Sequence, residues 1–172
     1  MLASRDIVLP EGDPSDPGEA ETVCGLGNRK NDVVNAVLKR DGVTPYPGSV
    51  ALVEALDRRG VKMAVVSSSK NAPAVLAAAG IADHFPVVVD GAVAAADGLP
   101  GKPAPDTFVA AAERVGVEIG RAVVLEDAVS GVAAGRAGGF GLVVGVDRGA
   151  GAEALRAAGA DLVVSDLDEI LP

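Results

Sequence analysis

Three stretches of this 172-residue chain place polar side chains directly after apolar runs. Val65-Val66 leads into Ser67-Ser68-Ser69-Lys70-Asn71, just ahead of a helix start. Hydroxyls and backbone N–H groups gathered there form an anion site, because the first N–H groups of a helix lack intrahelical partners and the helix dipole favours negative charge. Val123-Val124-Leu125 leads into Glu126-Asp127, two adjacent carboxylates suited to a hard cation such as Mg²⁺, which takes oxygen ligands. Between them, Gly101-Lys102-Pro103-Ala104-Pro105-Asp106 sets a lysine beside two prolines that restrict its backbone. Taken singly, each has a plainer use: a helix cap, surface charge, a solvated lysine. Each nevertheless falls at a strand end or in the loop before a helix, so the three could share one site.

The elements needed to position them are legible. Short apolar runs occur at residues 61–66, 86–89, 122–125, 141–146 and 162–164. Each is continuous rather than alternating, as in a strand buried on both faces. Helical segments separate them: one from Asn71, with Pro73 in its first turn, to Gly80; one from Pro105-Asp106-Thr107 to Gly116; others over residues 130–137 and 151–158. Strand–helix alternation predicts an α/β fold, a parallel sheet with helices on both faces, and in such sheets ligands bind beyond the carboxyl ends of the strands. Residues 1–47 differ in texture. Residues 10–18 read as a Pro- and Gly-rich loop. Val33, Val34, Val37 and Leu38 predict an amphipathic helix over residues 30–40. Thr44-Pro45-Tyr46-Pro47-Gly48 reads as a hinge before a helix at residues 49–59.

Composition narrows the function classes. Forty-nine per cent hydrophobic and 23% charged residues fit one soluble globular domain whose core is built from Ala and Val, since aromatics are only 2%. A net charge of −9 without a basic run argues against nucleic acid and anionic membranes as partners. No apolar stretch reaches the roughly 18 residues of a membrane span. The single cysteine, Cys24, forms no internal disulfide, and a reducing cytoplasm is the expected compartment. His84, in a loop-like step after a helix, is expected to be solvated.

In order and spacing, residues 65–71, residues 101–108, and Leu125-Glu126-Asp127 followed by Ser130-Gly131 resemble motifs II, III and IV of the haloacid dehalogenase superfamily. Ser69-Lys70-Asn71, Lys102-Pro103-Ala104-Pro105-Asp106, Arg29-Lys30-Asn31-Asp32 and Tyr46-Pro47-Gly48 look like the β-phosphoglucomutase-like phosphatases in particular. The likeness runs from Gly25 onward. It implies a Rossmann-like core over residues 48–172 and the C-terminal part of a helical cap over residues 1–47. It further implies that Ser67, with Ser68 and Asn71 close by, holds phosphoryl oxygens. Lys102 would bridge the phosphoryl group and the attacking carboxylate. Glu126 and Asp127 would hold Mg²⁺, and Arg29, Lys30 and Asn31 would reach from the cap toward a phosphorylated small molecule, a sugar phosphate.

One part of that pattern is missing. The family carries its nucleophile in Asp-x-Asp-Gly on a first, central strand, and no such tetrad occurs in this sequence. Asp41-Gly42 has Lys39 where the nucleophile belongs; Asp90-Gly91 has Val88 there. The expectation is therefore a core without its first strand, an N-terminally truncated and inactive form of a phosphatase or mutase. The short run Ile7-Val8-Leu9 is a weak substitute for that strand. The rival expectation is a non-catalytic module that binds a phosphorylated ligand or pairs with a partner chain supplying the strand.

Overall fold

In the computed structural model, residues 7–172 are described, so residues 1–6 of the expected cap segment lie outside the described residues. The chain divides into two units, one ending at Val43 and the other running from Thr44 to Pro172.

The first unit is a pinned loop followed by one long helix, α1 (Val23–Asp41). The helix starts seven residues earlier than the valine spacing predicts, because Thr22 caps it: Thr22 Oγ1 accepts the Gly25 N–H at 2.9 Å and donates to Asp16 Oδ2 at 2.7 Å. Asn28 Nδ2 donates back to the Asp16 and Pro14 carbonyls. The Val23 and Cys24 N–H groups, which no helical turn can satisfy, donate to the Pro10 and Glu11 carbonyls. Ile7-Val8-Leu9 forms no strand, and Val8 is 91% exposed.

The second unit opens with α2 (Pro47–Arg58), which Pro47 starts in the position where a missing N–H costs nothing. Strands and helices then alternate: β1 (Ala64–Val66), α3 (Ala72–Ala78), β2 (Val87–Val89), α4 (Gly91–Ala96), α5 (Asp106–Arg114), β3 (Val123–Glu126), α6 (Val129–Ala137), β4 (Leu142–Val146), α7 (Ala152–Ala157) and β5 (Leu162–Val164). All pairings are parallel. Along β4 the two faces separate cleanly. Val143 packs with Phe108, Val124, Val132 and Leu155, while Val144 and Val146 pack with Leu52, Val164 and Leu167. That is the two-sided burial the continuous apolar runs imply.

The sheet is in two pieces, β1–β2 and β3–β4–β5. The Ser67 N–H donates to the Val89 carbonyl, so the neighbouring polar groups of Val66 face away from β2. No strand among the described residues meets them, or the outer edge of β3, where Val123 is 54% exposed. The break thus falls between β1 and β3.

Three local expectations change. Residues 61–63 are not strand; Lys62 Nζ donates instead to the Val115 carbonyl at the end of α5. Residues 91–96 form a helix that the alanine-rich sequence did not announce. Asp90 caps it, accepting the Ala92 and Val93 N–H groups at 3.0 and 2.8 Å. Asp90 is thus a buried helix cap. His84 is paired rather than simply solvated, its Nδ1 lying 3.1 Å from Asp57 Oδ2 on α2.

Candidate active site at the carboxyl ends of β1 and β3

The serine run turns out to satisfy much of its own backbone. Ser67 Oγ accepts the Ser69 N–H at 3.1 Å, and Ser69 Oγ accepts the Asn71 N–H at 3.2 Å. Two N–H groups that the sequence offered to an anion are therefore already used, and α3, seven residues long, adds little dipole. What remains is the O–H of Ser67, free to donate, and the Ser68 backbone. Ser67, Ser68 and Lys102 line one cavity of about 270 Å³, walled on its apolar side by Ala94, Ala95 and Leu99. Thr107 lines it too, with a buried hydroxyl that has no hydrogen-bond partner among the described residues. Asn71 stands beyond this lining, at the N-cap of α3.

Lys102 is the centre of the arrangement. Its Nζ donates to Glu126 Oε1 at 2.8 Å and to the Val66 carbonyl at 3.3 Å, and lies 4.6 Å from the Phe108 ring centroid. One side chain thereby reaches the ends of both sheet pieces. The pair is largely buried, at 10% exposure for Lys102 and 14% for Glu126, so the attraction is weakly screened and each charge depends on the other. An ammonium has three donors; two are used and one is left.

Glu126 and Asp127 follow one another at the end of β3. Glu126 Oε2 accepts the Asp127 N–H at 3.2 Å, while the Asp127 side chain is exposed. Gly131, on the first turn of α6, has a reason that sequence spacing did not supply: any Cβ there would run into the Glu126 carboxylate. Both carboxylates line a second cavity of about 150 Å³ together with Leu125, Val146, Arg148 and Leu167. Lys102 lines the first cavity and Glu126 the second, so their ion pair joins the two linings. Among the described residues no group of three or more acidic, histidine or cysteine side chains gathers as a complete cation site. The two carboxylates fit a partial one, the arrangement Mg²⁺ accepts when waters and substrate oxygens complete its shell.

Arg29, Lys30 and Asn31 lie on the second and third turns of α1, in the other unit, rather than at a helix start; Arg29 and Lys30 are exposed. Arg148 went unnoticed in the sequence, where nothing but its place after an apolar run marks it.

The profile of haloacid dehalogenase-like hydrolases matches residues 9–139. The chain belongs to that family. A β-phosphoglucomutase of Mycobacterium tuberculosis is 51% identical over 174 residues, covering 99% of this chain and 66% of the relative. This haloacid dehalogenase-like chain therefore spans just under two thirds of the length of the curated relatives it matches first. Among solved structures, β-phosphoglucomutase of Clostridium difficile superposes with a TM-score of 0.73 at 27% identity, over 88% of this chain and 64% of that one. CbbY of Rhodobacter sphaeroides, solved with xylulose-(1,5)bisphosphate, gives 0.73 at 25% identity, over 90% and 68%.

Proposed function

We propose that this chain carries the phosphoryl-binding half of a Mg²⁺-dependent sugar-phosphate phosphatase or β-phosphoglucomutase-like enzyme of the cytoplasm. The observation that carries this reading is the Lys102 ammonium, held 2.8 Å from Glu126 beside Ser67 at the carboxyl ends of the strands. Ser67 Oγ–H, the Ser68 N–H and the remaining Lys102 donor would hold phosphoryl oxygens. Their fixed positions would offset negative charge as it builds on those oxygens, with no reorganisation needed at that moment. Glu126 and Asp127 would hold Mg²⁺, Asp127 as the direct ligand; bound there, the ion would neutralise phosphoryl charge. Arg29, Lys30 and Asn31 would read the sugar phosphate. Support for a phosphorylated sugar comes from the relatives' names, which include a fructose-1-phosphate phosphatase of Escherichia coli, 38% identical over 119 residues.

The sequence contains no Asp-x-Asp-Gly, so the chain by itself supplies no aspartate to attack phosphorus. It should bind Mg²⁺ with an affinity that Asp127→Ala abolishes, read by calorimetry, and show no turnover of phosphomonoesters. Measurable Mg²⁺-dependent hydrolysis lost on Asp127→Ala would contradict the inactivity, and the absence of Mg²⁺ binding would contradict the metal assignment.

A second reading rests on the divided sheet. The unpaired edges of β1 and β3 would accept a parallel strand from a partner chain, making this a strand-complemented module. It requires stable association with a chain carrying Asp-x-Asp-Gly; co-expression that yields only separate chains would contradict it.

A further inference from the structure

The loop after β4 is organised by one carboxylate. Asp147 Oδ1 accepts the Gly149 and Gly151 N–H groups at 3.1 and 2.9 Å. This turn presents Arg148, whose guanidinium lies 3.8 Å from the centroid of the Tyr46 ring and donates to Ser49 Oγ at 2.6 Å. Tyr46 is the last residue before α2 and Ser49 sits in its first turn. A second contact fixes the same place: Gly48 is buried so closely on Asp166 that a Cβ would strike its carboxylate. Asp166 in turn caps the turn at Leu167–Ile170. The start of α2 is thus held to the loops beyond β4 and β5. Residues 42–46, just upstream, have no regular structure, and Gly42 takes a φ of 70°.

Arg148 has a second neighbourhood. It lines the cavity that contains Glu126 and Asp127, yet makes no ion pair with either. Its charge is attracted to those carboxylates, and its stacking on Tyr46 competes with that attraction.

We propose that Arg148 is a positioning residue: it clamps the start of α2 at Tyr46 and Ser49, and it transmits charge entering the Glu126–Asp127 cavity to that helix start. A cation there neutralises the carboxylates, removes their pull on Arg148 and tightens the clamp. The coupling rests on the proposed metal reading, whereas the clamp does not.

The chain offers a direct probe, because Tyr46 is its one tyrosine and tryptophan is absent. Intrinsic emission therefore reports on Tyr46 alone. Arg148→Ala should increase acrylamide quenching of Tyr46 and lower its emission anisotropy, with the population of the docked, shielded Tyr46 ring falling roughly 2- to 5-fold, the range of an exposed cation–π contact. Arg148→Lys, which keeps charge without a planar stack, should fall between, and Ser49→Ala should act in the same direction but less. Unchanged quenching in a folded Arg148→Ala variant would overturn the clamp. Adding Mg²⁺ to the unmodified chain should reduce quenching, and Asp127→Asn should remove that response while leaving the Arg148 effect. Mg²⁺ that binds by calorimetry yet leaves Tyr46 emission unchanged would overturn the coupling and spare the metal reading. If calorimetry shows no binding, the metal reading fails and takes the coupling with it, while the Arg148→Ala result still decides the clamp.

Discussion

The two pieces of the sheet are built to different standards. In β3–β4–β5 both faces are closed along the middle of β4: Val143 and Val144 point to opposite clusters and both are fully buried, as is Leu155. In β1–β2 only Val89 is fully buried, and all three residues of β1 are half-exposed. The candidate site draws on both pieces, hydroxyls from the end of β1 and carboxylates from the end of β3. Lys102, on the loop between α4 and α5, is the side chain that reaches both. The candidate site needs the two pieces held in register, and the Lys102–Glu126 pair shares that holding with Val66, which packs against the core of Phe108, Val124 and Val143.

Truncations in the two cores test the contrast most strongly. Leu155→Ala removes a fully buried side chain from the three-stranded piece and should cost about 2–5 kcal/mol in denaturant unfolding. Val89→Ala, in the two-stranded piece, should cost clearly less; equal losses would dissolve the distinction. Next comes the tie itself. Lys102→Ala strands the Glu126 carboxylate in a mostly buried position and should cost about 3 kcal/mol. Removing both charges in a Lys102→Met, Glu126→Gln double variant should cost less than the single change. A double variant as damaged as the single one would show that the charge pair is not what matters. Gly131→Ala should then cost about 1–3 kcal/mol by forcing the Glu126 side chain from its seat, and the same change should weaken Mg²⁺ binding in calorimetry.

Much of this contrast was written in the sequence. Continuous apolar runs at residues 141–146 and 162–164 gave strands within a residue of their observed ends, since both faces are buried there. The run at residues 61–66 overshot. Hydrophobicity alone could not reveal that Lys62 is drawn to the end of α5, leaving only Ala64–Val66 in the ladder. Ser67, Ser68, Lys102, Glu126 and Asp127 stand out as candidates because each follows a strand or precedes a helix. Hidden from a linear reading were the contacts that depend on folding: serine hydroxyls closing on their own backbone, Gly131 making room for Glu126, Arg148 meeting Tyr46 about one hundred residues away. Helix α4 was missed because its signal is a single capping aspartate before a run of small residues.

The smallest expected effect concerns pH. The Gly151 N–H, then that of Gly149, hold the Asp147 carboxyl below its ordinary value of 3.8. A lowered folded value stabilises the loop above the ordinary aspartate value and stops doing so as pH falls through the lowered one. Loop amide shifts in residues 147–151 should therefore move with a midpoint below 3.8, and Asp147→Asn should abolish that step. A midpoint at or above the ordinary value would mean that the carboxylate does not organise the loop.

The central claim, that Lys102 gathers a phosphoryl site across the divided sheet, is tested most directly by calorimetric titration of inorganic phosphate in the presence of Mg²⁺. The unmodified chain should bind phosphate, and Lys102→Met, which keeps the side chain's bulk without its charge, should lose that binding while remaining folded. Phosphate binding that survives Lys102→Met unchanged would place the anion elsewhere and contradict the account.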